Sequence, residues 1–189
     1  LTIGIVGGGQ LARMMDEAAT PLGLRVRLLA EGPQTSAALV VPDTTVGDYT
    51  DAATLAAFAA DVDALTFDHE HVPTDLLAAL QDAGTPVRPG PDALLYAQDK
   101  AAMRARLTEL GAPCPAWRVV ADEAELAAFA DENGWPVVAK TSRGGYDGKG
   151  VWKVEAPADA AAPFAALQHA LGPTERDTAE EAPRDDVVI

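Results

Sequence analysis

Trp135-Pro-Val-Val-Ala-Lys140-Thr-Ser-Arg-Gly-Gly-Tyr-Asp-Gly-Lys-Gly-Val151 is the stretch that decides the fold of this chain. Val137 to Ala139 is a short apolar run that reads as a buried strand, and Lys140 ends it. Four glycines follow within residues 144–150. Gly144, Gly145, Gly148 and Gly150 let the backbone turn its N–H groups toward an anion without a Cβ clash. Lys140 and Lys149 put positive charge beside that cradle. The pattern is suited to holding polyphosphate, with a loop able to close as a lid. A Walker A loop is excluded, because G-x-x-x-x-G-K-[ST] does not occur. An ordinary hairpin would explain the turn geometry but not so dense a set of glycines.

Working outward, Val151 to Val154 predicts the returning strand and Ala158 to Leu171 an alanine-rich helix. Pro163 marks the start of its regular part, since proline suits a first helical turn. Upstream, Trp117 to Val120 reads as a strand, and Glu123 to Glu132 as a helix ended by Asn133-Gly134. Asp92 to Leu110 reads as one charged helix, broken by Gly111-Ala-Pro-Cys-Pro115. This block is α+β. Residues 172–186 are polar and acidic, a tail or a surface loop. Val187-Val-Ile189 is apolar and β-branched, like the first residues of a buried strand, so the polypeptide is expected to be a fragment.

The first ninety residues alternate differently. Thr2 to Val6 is a strand, Gly7-Gly-Gly9 a turn, and Gln10 to Leu22 a helix with Leu11, Met14, Met15 and Ala18 at helical spacing. Leu24 to Ala30 and Ala64 to Phe67 are further strands, and Val40 to Val46 a weak strand or a loop. Asp51 to Ala60 and Thr74 to Ala83 are helices, with Thr50 or Asp51 as a cap for the first and Gly84 for the second. Val87 begins a last short strand. Strands alternating with helices at this pace predict a parallel α/β sheet with right-handed crossovers. The first domain is expected to span residues 1–91 and the second 92–189.

Composition bounds the function. The net charge of −15 argues against general nucleic-acid binding and against an anionic membrane surface. A local basic loop can still hold phosphate. No run of about 18 apolar residues occurs, and no signal peptide is evident, so a cytoplasmic location is expected. Cys114, the one cysteine, has no partner for an intramolecular disulfide and reads as a buried, inert thiol. His69 and His71 have the spacing H-x-H without further ligands, which does not make a metal site. Trp117, Trp135 and Trp152 read as packing residues.

Two readings of the opening loop stand side by side. Gly7-Gly-Gly-Gln-Leu-Ala12 fits G-x-G-x-x-A between a strand and a helix, and Glu31 ends the second strand where a ribose-binding carboxylate would stand. That supports a non-catalytic NAD-binding module. It leaves the 140–151 region unexplained.

Four segments occur in order: Ile5-Val-Gly-Gly-Gly-Gln-Leu-Ala-Arg-Met14, Thr66-Phe-Asp-His-Glu-His-Val72, Gln98-Asp-Lys100 and Arg143-Gly-Gly-Tyr-Asp-Gly-Lys-Gly150. Together they resemble the 5-(carboxyamino)imidazole ribonucleotide synthases of the ATP-grasp superfamily, across nearly the whole chain. The resemblance implies a Rossmann-like, parallel-sheet pre-ATP-grasp domain for the acceptor substrate, followed by a small α+β ATP-grasp subdomain. It implies an ATP-dependent ligase of purine biosynthesis that carboxylates aminoimidazole ribonucleotide with bicarbonate. Magnesium would bridge the ATP phosphates, and the full-length enzyme would be a homodimer.

By resemblance, Lys140 and Lys100 reach the ATP phosphates, and Gly145, Tyr146, Asp147, Gly148, Lys149, Gly150 and Val151 form the flap over them. Tyr146, Asp147 and Lys149 could instead face the acceptor. Relatives often carry arginine where Lys149 stands, and lysine lacks its planar fork. Gly9, Gln10 and Leu11 open the helix where the acceptor is expected. A first-turn residue facing water is the other reading of Gln10, and a solvated helix lysine that of Lys100. Glu70 lies just past a strand's carboxyl end, where open α/β sheets bind ligands. Asp68 reads as a loop carboxylate. No catalytic residue and no metal ligand is identified, and the magnesium ligands are expected beyond Ile189, so the chain alone is expected to turn over little. Another ATP-grasp purine ribonucleotide ligase, the formate-dependent glycinamide ribonucleotide transformylase, is the nearest alternative.

Overall fold

The computed structural model describes residues 1–145, 149–170 and 187–189. It divides into two compact units, Leu1–Leu95 and Tyr96–Ile189.

In the first unit β1 (Thr2–Val6), β2 (Arg25–Ala30), β3 (Thr44–Val46) and β4 (Ala64–Phe67) form one parallel sheet in the order β3-β2-β1-β4. Its register sets Val6 beside Leu29 and Phe67, so three strands end level with one another. The crossovers are α1 (Gln10–Ala19) between β1 and β2, and α2 (Ala52–Ala59) between β3 and β4; α3 (Thr74–Asp82) follows β4. Asp51 caps α2, its carboxylate accepting from the Thr54 N–H at 2.8 Å, which settles the choice left with Thr50. Val87 extends the sheet by a single parallel bridge to Leu65.

Both faces of this sheet are covered, as a parallel sheet requires. Val6, Leu29, Leu55, Leu65 and Leu77 form one core, and Ile5, Ala12, Leu28 and Ala30 form another. Leu77 is fully buried, so its truncation to alanine costs about 2–5 kcal/mol. Gly4 sits under this packing: a Cβ there would lie 2.9 Å from Val62.

The stretch read as a single helix over Asp92–Leu110 is two helices, α4 (Pro91–Gln98) and α5 (Lys100–Glu109). The break is Asp99. Its backbone is extended at φ −127°, and its carboxylate accepts from the N–H groups of Ala101 and Ala102. An N-cap of this kind starts a new helix where helical periodicity alone would run straight on.

The second unit holds an antiparallel sheet of β5 (Val119–Val120), β6 (Val137–Thr141), β7 (Val151–Val154) and β8 (Val187–Val188), ordered β5-β8-β6-β7. Val187 and Val188 are buried between β5 and β6, as their apolar, β-branched character predicts. α6 (Glu123–Asn133) and α7 (Ala162–Ala170) complete the unit. Val120, Leu126, Phe129, Ala139 and Val154 form its core, with Trp135 and Trp152 against it. Trp117 instead donates from its ring N–H to the Thr108 hydroxyl. Cys114 is only half-buried, 3.0 Å from Arg104 Nη1. The polar stretch 172–186 lies outside the described residues.

Candidate functional site

Two sites emerge, one in each unit. In the first, the carboxyl ends of β1, β2 and β4 converge on the Gly7–Gly9 turn. Gly7 has φ +103°, and its N–H bonds Leu29 O at 2.8 Å. The next two N–H groups are taken by carboxylates. Gly8 donates to Glu31 Oε2 at 3.1 Å, and Gly9 donates to Asp68 Oδ2 at 2.6 Å. A Cβ on Gly7 would overlap the Asp68 carboxylate, so the turn and this side chain are built for each other.

Asp68 is therefore no ordinary loop carboxylate; its side chain is only 4% exposed. His69 stands beside it, Nε2 being 3.3 Å from Glu31 Oε1 and 4.0 Å from Asp68 Oδ1. Nδ1 accepts from the His71 N–H, which leaves the neutral ring's proton on Nε2. That nitrogen is buried and close to both carboxylates, yet makes no hydrogen bond among the described residues. Tyr49 packs its ring 4.8 Å from that of His69. Burial pushes the Tyr49 phenol above its ordinary pKa, and Glu31, Asp48 and Asp68 add to the rise. The ends of these strands thus gather negative charge, and Glu31, Asp48 and Tyr49 line a cavity of about 240 Å³ there.

Gln10 is exposed on the first turn of α1 and accepts from the Ser36 hydroxyl at 2.9 Å. Leu11 is 58% exposed, and Glu70 is half-buried. Gly9, Gln10 and Leu11 lie at the turn and the first residues of α1, and Glu70 lies in the loop after β4.

This arrangement bears on the dinucleotide reading. A pyrophosphate at the Gly7–Ala12 loop needs the free N–H groups of the turn. Here Gly8 and Gly9 already donate to carboxylates, whose charge would repel it.

The second site starts from β6. Its burial alternates, with Val137, Ala139 and Thr141 inward and Val138 and Lys140 outward. Lys140 and Val138 line a cavity of about 410 Å³, with Lys100, Arg104, Pro115 and Ile189. Lys100 opens α5 and is tied to the strand's end. Its N–H donates to Ser142 O at 2.8 Å, and its Nζ donates to Gly144 O at 2.8 Å.

Asp99 secures the same junction. Beyond capping α5, it accepts from the Ser142 hydroxyl at 2.7 Å and from Arg143 Nε at 3.1 Å. Burial pushes its carboxyl up. Hydrogen bonds from Ala102 and Ser142, with the charge and hydrogen bond of Arg143, outweigh burial and hold it below the ordinary carboxylate range.

The loop beyond has its neck at Gly145 and Gly150, with φ +70° and +67°. The two backbones approach one another over Thr141. Lys149 and Val151 are exposed. Tyr146, Asp147 and Gly148 lie outside the described residues. Lys100 and Lys140 line one cavity at the end of β6, and Gly145 and Gly150 lie at the same end of the strand, beside Thr141. No group of three or more His, Cys, Asp or Glu side chains able to hold a metal is found among the described residues. No helix among them is long and apolar enough to cross a membrane.

Residues 1–98 match the family of ribonucleotide synthetase preATP-grasp domains, and residues 105–175 match the ATP-grasp domain. The chain is 46% identical over 158 residues to the N5-carboxyaminoimidazole ribonucleotide synthase of Mycobacterium tuberculosis H37Rv, covering 84% of this chain and 37% of that protein. Among solved structures, N5-carboxyaminoimidazole ribonucleotide synthetase from Thermus thermophilus is 31% identical with TM-score 0.77, covering 98% of this chain and 46% of its own. N5-carboxyaminoimidazole synthase from Aspergillus clavatus, solved with ADP and 5-aminoimidazole ribonucleotide, is 25% identical with TM-score 0.73 over 88% of this chain and 43% of that one. The chain thus spans less than half the length of each of these relatives.

Proposed function

The chain belongs to the family of ribonucleotide synthetase preATP-grasp domains, and on that premise we propose that it forms part of an ATP-grasp ligase that carboxylates 5-aminoimidazole ribonucleotide. In this reaction bicarbonate attacks the γ-phosphorus of ATP, giving carboxyphosphate and ADP. The exocyclic amine of the acceptor then takes the carboxyl carbon, and phosphate leaves. The single observation that carries the reading is that Lys100 and Lys140 line one cavity while Lys100 Nζ also holds Gly144 at the start of the glycine loop, in a chain similar to these synthases.

Lys140, held on a strand, and Lys100, held by Ser142 and Gly144, supply fixed positive charge to the ATP phosphates. Fixed charge costs little reorganisation when negative charge shifts during phosphoryl transfer. The flap residues 145–151 cover the phosphates and keep water from the labile carboxyphosphate.

The acceptor is held in the first unit by Gly9, Gln10, Leu11 and Glu70. Glu31, whose side chain is 43% exposed, suits a hydroxyl or amine donor of the acceptor. Holding the reactants in place replaces a three-body encounter with an oriented reaction. As part of the same proposal, magnesium would neutralise charge on the ATP phosphates, and the enzyme works in the cytoplasm as a homodimer.

Isotope incorporation tests the proposal. Carbon-13 bicarbonate, supplied with ATP, magnesium and aminoimidazole ribonucleotide to the full-length enzyme, is expected to appear as an N-carboxy group by NMR. Formyl transfer to glycinamide ribonucleotide in its place would assign the enzyme to the alternative ligase.

A further inference from the structure

The loop that leaves β4 is held at both ends. At its start the Asp68 N–H bonds Val6 O at 3.0 Å, and the Asp68 carboxylate accepts from the Gly9 N–H. At its far end Val72 is fully buried in the core of the first unit. Between them lie His69, Glu70 and His71. His69 Nδ1 accepts from the His71 N–H at 3.2 Å. This bond closes a tight turn around Glu70, so the direction in which Glu70 leaves the backbone is set by the side chain before it.

The ring packs against the Gly7 turn, where a Cβ would lie 2.8 Å from His69 Cδ2. Its Nε2 is buried, 3.3 Å from Glu31 Oε1 and 4.0 Å from Asp68 Oδ1, with no hydrogen bond among the described residues. The titratable groups around the ring come from three places. Glu31 stands at the end of β2, Tyr49 follows β3 with Asp48 beside it, and Asp68, Glu70 and His71 share the ring's own loop. The glycine turn after β1 brings none.

A neutral imidazole can serve the turn only with its proton on Nε2. Protonation adds a proton on Nδ1, and two donors then face each other across 3.2 Å. The charged ring is pushed off the His71 amide and drawn toward Glu31 and Asp68. The turn around Glu70 loses its tie in the same step.

We propose that His69 is a positioning residue for Glu70 and switches it: the neutral ring holds the turn in which Glu70 meets the acceptor, and protonation on Nδ1 releases that turn. The link to the acceptor rests on the carboxylation reading, which puts Glu70 in the acceptor site; the release of the turn does not.

Two measurements test the switch. In the 189-residue chain, nitrogen-15 NMR follows the His69 ring and the His71 amide from about pH 8 to about pH 5, the span in which histidine changes charge. The expected result is a proton on Nε2 at the upper end, and a His71 amide that shifts and loses exchange protection as His69 is protonated. In the full-length enzyme, calorimetry measures aminoimidazole ribonucleotide binding over the same span, for the parent and for His69→Asn. Asparagine accepts from the amide two residues on and does not titrate. The comparison is needed because a phosphate monoester itself titrates at about pH 6. Affinity follows the fraction of enzyme with a neutral ring, so the parent is expected to lose about tenfold more than His69→Asn as pH falls. His71→Gln keeps the backbone amide and is expected to follow the parent.

A His69 ring that keeps its charge state over the span, a proton on Nδ1 at the upper end, or a His71 amide indifferent to His69 would overturn the inference. Equal pH dependence in the parent and His69→Asn would overturn the link to the acceptor. No binding at any pH would remove the carboxylation reading and that link together, while the NMR titration still decides the switch.

Discussion

Lys100 Nζ donates to Gly144 O at 2.8 Å, across 44 residues of sequence. The bond joins the first turn of α5 to the start of the glycine flap. It places the Lys100 ammonium and the start of the glycine loop on a single support. The neighbouring pair, Asp99 and Ser142, repeats the connection close by on each side. A support of this kind keeps Lys100 fixed relative to the start of the loop. That arrangement fits an enzyme that must cover its phosphates without disturbing the charges that bind them.

Lys140→Ala and Lys100→Ala separate the two cations. Each is expected to weaken ADP binding by about tenfold or more, equivalent to about 1.4 kcal/mol per tenfold. Lys100→Ala is also expected to loosen the flap, because it removes the tie to Gly144. Calorimetric titration gives the affinities, and amide exchange at residues 143–145 reads the loosening.

Asp99→Asn probes the junction through pH. The folded carboxyl is held below its ordinary range, so the charged form is favoured by folding. Its contribution is present above the unfolded carboxyl pKa of about 3.9 and is lost as pH falls through the lower, folded value. Wild type is expected to exceed Asp99→Asn in stability at pH 6, with the gap closing as pH drops below about 4. Urea denaturation at several pH values measures it. Asp99→Ala also removes the α5 cap, a loss of about 0.5–2 kcal/mol.

Gly145→Ala and Gly150→Ala test the neck. Both positions have positive φ, which costs a residue bearing a Cβ about 1–2 kcal/mol. Both also bring the new methyl against Thr141, so the measured cost is expected to exceed the φ penalty alone. Thermal denaturation checks this, with Gly144→Ala as reference, since its φ is also positive but nothing lies within 4 Å of its Cβ.

Asp68→Ala and an NADH titration test the first site. Removing the Asp68 carboxylate strands the Gly9 N–H, an expected loss of about 1–3 kcal/mol of stability together with acceptor affinity. Wild-type chain is expected to show no saturable NADH binding, because the turn's amides already hold Glu31 and Asp68. Saturable NADH fluorescence would revive the dinucleotide reading.

The sequence made the strand–glycine–strand region legible, because an apolar run, a lysine and clustered glycines are all local. β7 spans Val151–Val154 as its apolar ends suggest. The parallel sheet was legible for the same reason, from alternation of short apolar runs and helices. The joint at Asp99 was not, because a cap is a side-chain choice and helical spacing continues through it. Glu31 and Asp68 were read apart from the acceptor site. Their glycine partners lie 23 and 59 residues away, and only parallel pairing of β1, β2 and β4 brings those ends together. The tie from His69 to the His71 amide was not legible either, because the H-x-H spacing does not say which ring nitrogen meets the backbone.

The most direct test of the proposed ligase is ADP release by the full-length enzyme with bicarbonate and magnesium, in the presence and absence of aminoimidazole ribonucleotide. The account predicts ADP formation that depends on this acceptor and is lost in Lys140→Ala. Folded enzyme that forms no acceptor-dependent ADP, or that needs glycinamide ribonucleotide instead, would contradict it.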